Sequence, residues 1–163
     1  MRRLLPVLVA LAFAVPAAGS PSAKLAAVTL DGVGGVVPGM SVAQIEQLWG
    51  TTLQPVGRTC GFVPFAVGDV RGRALFSGGK LGALFFDAGA TTLSGIGIGT
   101  KLSVLVKRFG TKLETEPGSQ FLFLVRHDKP HWQIRFDLDL ATNTVERIGF
   151  GENWYVHVLA GCG

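Results

Sequence analysis

Residues 95–101, GIGIGTK, could hold a phosphate, because many nucleotide-binding proteins place a glycine-rich turn and a lysine at the start of a helix. The spacing does not fit that motif, in which glycine directly precedes Lys-Ser/Thr, since Gly99 is followed by Thr100 and only then by Lys101. A matching segment sixty residues earlier contains GVVPGM, with no lysine. We therefore predict that residues 95–101 are structural, forming a strand and the entry to a helix, and that the chain binds no cofactor.

Three histidines are the next candidates for metal binding or catalysis. His127 and His131 are four residues apart, a spacing that makes a metal pair on a helix, but Pro130 interrupts a helix there. A third ligand would have to be Asp128 or a distant residue. His157 falls in an alternating terminal segment that we predict to be a strand. The sequence therefore predicts ordinary histidines at the rim of the fold and no metal site.

Carboxylates offer a second kind of chemistry. Asp137 and Asp139 share one face of a predicted strand, and paired carboxylates do acid–base work when burial separates their pKa values. Arginine and glutamine surround them in the sequence, which favours solvated charges. A hydrolase remains the alternative, with a site assembled from His127, His131, Asp137 or Glu152.

The N-terminal residues predict export. Arg2 and Arg3 precede an apolar run from Leu4 to Val15, and small residues follow to residue 23, which is the pattern of a signal peptide over residues 1–23. The apolar run is shorter than the roughly 20 residues that span a bilayer, and no longer apolar run follows. We predict a secreted or periplasmic protein without a membrane span.

The charge balance argues against nucleic acid as a partner. Of 15 basic residues, Arg2 and Arg3 belong to the predicted signal peptide, which leaves 13 basic against 11 acidic residues, a net charge of +2. A basic cluster does occur near residue 105, and its spacing predicts a solvated helix face. Its members are Lys101, Lys107, Arg108 and Lys112.

Two cysteines, Cys60 and Cys162, predict one disulfide, because exported proteins meet an oxidising environment. The bond would close a loop of about 100 residues, for which loop entropy predicts a stabilisation on the order of 4–5 kcal/mol. Separate free thiols and a catalytic Cys–His pair are the weaker alternatives.

The sequence contains an internal repeat. Residues 37–53 align with residues 97–113 at an offset of sixty, and each segment is a short amphipathic helix between two glycines, near 41–49 and 101–109. Ser41 and Gln44 have the spacing of a capping box. A second alignment pairs residues 85–99 with residues 135–151. The sequence therefore predicts two units, residues 24–95 and residues 96–163.

The remainder of each unit is predicted to form antiparallel strands. Gly78-Gly79 predicts a hairpin turn, and residues 131–139 alternate apolar and polar side chains. For the strand pair 120–127 and 131–139 we predict the register that pairs His127 with Trp132, because a slip by one residue would place three apolar side chains among charges. This register puts Phe121, Phe123 and Val125 on the apolar face and Leu122, Leu124 and Arg126 beside Arg135 and Asp137.

The segment GMSVAQIEQLWG (39–50), followed by antiparallel strands, resembles the tandem-repeat superfamily of the β-lactamase inhibitor protein and the SmpA/OmlA-type small lipoproteins. That resemblance implies an α+β fold of two tandem units, each a short helix or helix pair packed on a small antiparallel sheet. The ending WYVHVLAGCG (154–163), with the early Cys60-Gly61, resembles a group of uncharacterised exported bacterial proteins. The shared positions belong to the scaffold, so the resemblance implies no binding residue.

These observations predict an exported, non-catalytic protein-binding module, since known members of the superfamily bind proteins. A specific inhibitor of a secreted or periplasmic enzyme is one alternative, and a hydrolase is the other. The polar face of the strand pair predicts a docking surface, although the same face could instead pack against the other unit. The candidate contact residues are Leu122, Leu124, Arg126, Arg135, Trp154 and Tyr155.

Overall fold

The computed structural model describes residues 27–54, 60–115, 118–125 and 131–157. The predicted signal peptide and the sites Arg126, His127, Asp128 and Cys162 lie outside these ranges. The described elements are β1 (Ala27–Thr29), β2 (Gly32–Val33), α1 (Val42–Trp49), β3 (Cys60–Val67), β4 (Val70–Ser77), β5 (Lys80–Ala88), β6 (Thr91–Thr92), α2 (Leu102–Phe109) with a 3₁₀ turn (Gly110–Lys112), β7 (Leu113–Thr115), β8 (Phe121–Val125), β9 (Trp132–Asp139), β10 (Thr144–Glu152) and α3 (Asn153–His157).

An antiparallel sheet of seven strands dominates the fold, in the order β3-β4-β5-β10-β9-β8-β7. Two meanders, β3-β4-β5 and β7-β8-β9-β10, meet where β5 pairs with β10. A smaller sheet, β2-β1-β6, contains one parallel pair. The predicted α+β class with an antiparallel sheet is therefore confirmed, and the division into two tandem units stays a prediction.

Local sequence signals place the helices and the hairpin well. The Ser41 hydroxyl accepts a hydrogen bond from the Gln44 amide and the Gln44 side chain accepts one from the Ser41 amide, so the predicted capping box is confirmed. Gly50 ends α1 with φ of 64°. The predicted turn at Gly78-Gly79 is also confirmed, with φ of 57° and 74°, values that glycine adopts without strain.

Both helices are attached to the sheet in the same way, just before each helix starts. A pair of backbone hydrogen bonds joins the residues ahead of the helix to the first residues of β5 or β10. The four bonds are Gly39 N to Leu81 O (2.7 Å), Leu81 N to Met40 O (2.8 Å), Gly99 N to Val145 O (2.7 Å) and Val145 N to Thr100 O (2.9 Å). The sixty-residue alignment therefore matches equivalent backbone contacts.

Two details of the repeat differ from the sequence prediction. The alignment of residues 85–99 with residues 135–151 superposes β5 on β9, whereas the strand that bonds to the residues ahead of α2, as β5 does for α1, is β10, so it does not match equivalent positions. Residues 95–101 form turns with two isolated bridges, Gly97 to Thr91 and Lys101 to Thr144, rather than a strand. Gly95 and Gly99 have φ of 77° and 82°, which interrupts the extended backbone that a strand needs.

The predicted register of β8 and β9 is wrong by one residue. Leu122 pairs with Phe136 and Phe123 pairs with Arg135, which is the arrangement that the sequence argument rejected. Leu122 and Leu124 consequently face α1 and α2 with the main core, and Phe121, Phe123 and Val125 lie on the opposite face, beside Arg135 and Asp137.

The opposite face tolerates these apolar side chains because it is also covered. A second apolar cluster lies there, and α3 supplies one of its members. Residues 153–157 form this helix, so the strand predicted around His157 is wrong. The buried members of the cluster are Leu75, Ala83, Phe85, Phe123 and Val156.

The main core lies between the sheet and the two longer helices. Ile45 and Trp49 of α1 and Leu105 of α2 are buried against it, and the Trp49 ring lies 5.1 Å from the ring of Phe65. No helix in the described ranges is long and apolar enough to cross a bilayer.

The unequal helix starts lead to a first prediction. Ser41→Ala should lower the free energy of unfolding by about 1 kcal/mol, because it removes the hydroxyl that caps α1. Lys101→Ala is the matched control at the equivalent position of α2, where no side chain forms a cap bond, and it should change stability little. Urea unfolding measures both; equal losses would contradict the assignment of the cap.

Candidate functional site

Three of the five residues of the short helix α3 hold it in place. The Asn153 amide donates to the His131 carbonyl at 2.8 Å, and the Val156 carbonyl accepts from the Arg135 guanidinium at 2.6 Å. The His157 ring stacks on Phe123, with centroids 4.2 Å apart and planes 2° from parallel. A helix of five residues is not stable alone, so these contacts determine its position.

A glycine on β5 gives α3 room to approach. A Cβ on Gly82 would lie 2.5 Å from the Tyr155 ring, so the ring lies directly over that glycine. Glycine inside a strand often marks such a close approach, and this is the sequence signal by which the covering helix could have been anticipated.

A buried ion pair lies beneath α3. Arg135 is fully buried, and its guanidinium donates to both carboxylate oxygens of Asp137, which is also buried. The guanidinium also lies 3.8 Å from the centre of the Phe121 ring, within cation–π range. Asp137 is therefore not the solvated carboxylate that the sequence predicted, because the ion pair compensates the cost of removing both charges from water.

The ion pair continues as alternating charges across three strands. Asp137 on β9 accepts from Arg147 on β10 at 3.3 Å, and Arg147 donates to Asp87 on β5 at 2.8 Å. Burial lowers the pKa of Arg147, but the bonds to Asp87 and the nearby carboxylates more than offset this and raise it above its ordinary value. These residues hold one another, so they are poorly placed to act as acids or bases.

The predicted docking surface does not form as a single patch. Leu122 and Leu124 are buried, 9% and 8% exposed, and face the main core. Arg135 is fully buried on the other face, under α3. The one-residue difference in register explains this separation, because it moves every side chain of β8 to the opposite face.

Among the predicted contact residues that the structure describes, Trp154 is the most exposed, with 75% of its surface in solvent. Tyr155 is half-buried over Gly82. Trp154 stands at the edge of an open groove of about 920 Å³, which we call the α3 groove. The groove is lined by Pro38, His131, Trp132, Glu152, Asn153, Trp154 and His157.

The α3 groove brings together three polar groups that hydrolase chemistry could use. His131 and Glu152 were named from the sequence as hydrolase candidates, and His157 joins them in the lining. His157 Nε2 lies 3.3 Å from Gln133 Oε1, and its ring is stacked on Phe123. No cluster of three metal-ligating side chains occurs among the described residues, and the described lining contains no serine or cysteine nucleophile.

The other acidic candidate, Asp139, belongs to a turn. Its carboxylate accepts from the Thr142 hydroxyl at 2.7 Å and from the Ala141 amide at 2.8 Å. The Thr142 hydroxyl bond, followed by the Ala141 amide bond, lowers the pKa of Asp139 below its ordinary value. Asp139 therefore stabilises the turn after β9 as an ionised group and is separate from buried Asp137.

Comparison with known proteins places the fold but not the function. No protein-family model and no curated protein matches the chain. A solved DUF4309 family protein of Bacillus subtilis is similar, with a TM-score of 0.50, 14% identity, and coverage of 81% of this chain and 90% of that one. At this identity the likeness concerns the fold alone.

Two larger extracellular proteins show weaker likeness. A cysteine-rich secretory protein of Staphylococcus aureus has a TM-score of 0.47 and 10% identity, with 72% of this chain and 45% of that chain covered. An SCP-domain extracellular protein of Bacillus anthracis has a TM-score of 0.47 and 8% identity, with 97% and 55% covered. The chain thus spans about half the length of these two proteins.

Proposed function

We propose that the chain is an exported, non-catalytic protein-binding module, and that its partner contacts Trp154 in the α3 groove. The observation that carries this proposal is the exposure of Trp154 on a helix whose neighbouring residues are anchored. Tryptophan is enriched at the energetic centres of interfaces, and a positioned side chain loses little conformational entropy on binding.

The tandem-unit organisation belongs to the same proposal. It is supported by the two equivalent pairs of hydrogen bonds ahead of α1 and α2, and by the two meanders that meet at β5 and β10. It also supports the resemblance to the superfamily of the β-lactamase inhibitor protein, whose known members bind proteins. The sharper alternative within this class is a specific inhibitor of a secreted or periplasmic enzyme.

Crosslinking from position 154 tests the proposal. A photo-crosslinking amino acid in place of Trp154 should capture a partner from secreted or periplasmic extract. The matched control carries the same amino acid at Leu93, which is equally exposed at 78% but lies between β6 and α2. Capture at both positions or at neither would count against a docking site at Trp154.

The captured partner allows a quantitative prediction. Trp154→Ala should weaken its binding by about 30-fold, the loss expected for a hot-spot aromatic of about 2 kcal/mol. The thermal midpoint should change little because the side chain is exposed. Calorimetric titration and thermal unfolding measure the two quantities, and an unchanged affinity would contradict the proposed role.

A hydrolase is the second candidate, favoured by the two imidazoles and one carboxylate that line the α3 groove. It predicts hydrolysis of a small ester, amide or phosphoester that is lost in His131→Ala. Because His131 is exposed, this variant should fold normally. Activity that persists in the variant, or that is absent from the native protein across such a panel, would remove this candidate.

A further inference from the structure

A second groove lies between α2 and the turn that joins β9 to β10. Its volume is about 690 Å³, and we call it the α2 groove. Two lysines, two aliphatic side chains and three polar side chains form its wall. They are Lys101, Leu102, Ser103, Val106, Lys107, Thr142 and Asn143.

The positive charge around the α2 groove is uncompensated. No acidic residue occurs in the sequence between Asp87 and Glu114, a stretch that includes all of α2. Four exposed cations occupy the helix and its ends, and none forms an ion pair within the described ranges: Lys101, Lys107, Arg108 and Lys112. The acid of the adjacent turn, Asp139, is engaged by Ala141 and Thr142.

Stabilisation of α2 explains the positions of some of these four cations but not of all of them. Lys107 and Arg108 lie in the last turn of α2, where a positive charge stabilises the helix dipole. Lys101 lies at the N-cap, where a positive charge is unfavourable, and the equivalent residue of α1 is the capping Ser41. A lysine at this position therefore suggests a use outside the helix.

Aliphatic side chains of α2 are exposed beside these cations. Val104 and Val106 each leave about half of their surface in solvent, and Leu102 is only partly buried. A solvated helix face would carry polar side chains at these positions. The α2 groove thus combines uncompensated cations with aliphatic side chains that a partner could cover.

We propose that the α2 groove binds an acidic polypeptide segment, with carboxylates at Lys101 and Lys107 and an aliphatic side chain against Leu102 and Val106. The charge complementarity selects an acidic partner. The concave shape and the hydrogen-bonding groups of Ser103, Thr142 and Asn143 favour a peptide over a flat anionic membrane. This binding site is separate from the α3 groove and does not depend on Trp154.

Selection from a displayed library of random twelve-residue peptides tests the inference. Peptides enriched on the native protein should contain several Asp or Glu residues and at least one Leu, Ile or Val. The peptide with the strongest enrichment is then synthesised and titrated by fluorescence anisotropy.

The double variant Lys101→Glu with Lys107→Glu should weaken binding of this peptide by about tenfold or more, since each reversal replaces attraction by repulsion. Raising the salt from ~50 mM to ~500 mM should weaken the native complex as well.

A matched control variant distinguishes the loss of the groove's own lysines from a general effect of the protein's net charge on peptide binding. Arg71→Glu with Lys80→Glu makes the same change of net charge at two exposed residues of the other meander, and it should leave the affinity almost unchanged. The inference fails if the control variant loses as much affinity, or if no acidic peptide is enriched. It also fails if vesicles of phosphatidylcholine and phosphatidylglycerol bind through the two lysines while the peptides do not. Photo-crosslinking at position 154 reports independently on the α3 groove.

Discussion

Arg135→Met lowers the free energy of unfolding by an expected 3–5 kcal/mol or so, and the thermal midpoint by on the order of 10 °C. The substitution leaves the Asp137 carboxylate buried without its bidentate partner and leaves the Val156 carbonyl without its donor. Methionine approximates the length of the arginine stem, so the loss reflects mainly the charge and the hydrogen bonds. Urea unfolding and calorimetry measure the change.

Two further variants show whether the stability loss of Arg135→Met comes from the buried ion pair. Arg73→Met removes an arginine from the same row of charges, but Arg73 is 40% exposed and lies 3.8 Å from Asp87, so the cost should stay below about 1 kcal/mol. Arg135→Met with Asp137→Leu replaces both buried charges and should recover much of the loss. A loss from Arg135→Met no larger than that from Arg73→Met would show that the buried pair does not hold this face.

The incorrect β8–β9 register and the predicted exposure of Arg135 have one cause, the assumption that the polar face of β9 meets water. Alternation along β9 correctly separates the side chains of its two faces, but alternation does not tell whether the polar face meets water or another element. The covering element, α3, is five residues long and too short to give a periodic signal. Its position depends on contacts with distant residues, such as the bond from Arg135 to Val156.

Features set by neighbouring residues were predictable. The capping box at Ser41, the stop at Gly50 and the turn at Gly78-Gly79 follow from the conformations that those residue types prefer. The candidate site was predictable only in part. Trp154 was named from its residue type, whereas the α3 groove also needs Pro38, which lies in a distant part of the chain.

The predicted disulfide gives the other large expected effect. Replacing Cys60 and Cys162 by alanine should lower the free energy of unfolding by about 4–5 kcal/mol, because an open chain gains the loop entropy that a closed loop of about 100 residues lacks. Cys60 packs against the cluster that contains Val156. Cys162 follows Val156 by six residues, a span of up to about 20 Å when extended. The pairing is therefore within reach of the chain.

Mass spectrometry without reductant should find no free thiol and a peptide that joins Cys60 to Cys162. The alanine variant and the reduced native protein should have similar stability, because both lack the same cross-link.

Combining the alanine changes with Arg135→Met gives a double-mutant cycle, since both the disulfide and the Arg135–Val156 bond would restrain the segment that carries α3. A non-additive loss is expected if that segment detaches as one unit. Two free thiols, or a dimer linked through cysteine, would instead exclude the intramolecular bond, and α3 would be held by its contacts with Arg135, His131 and Phe123.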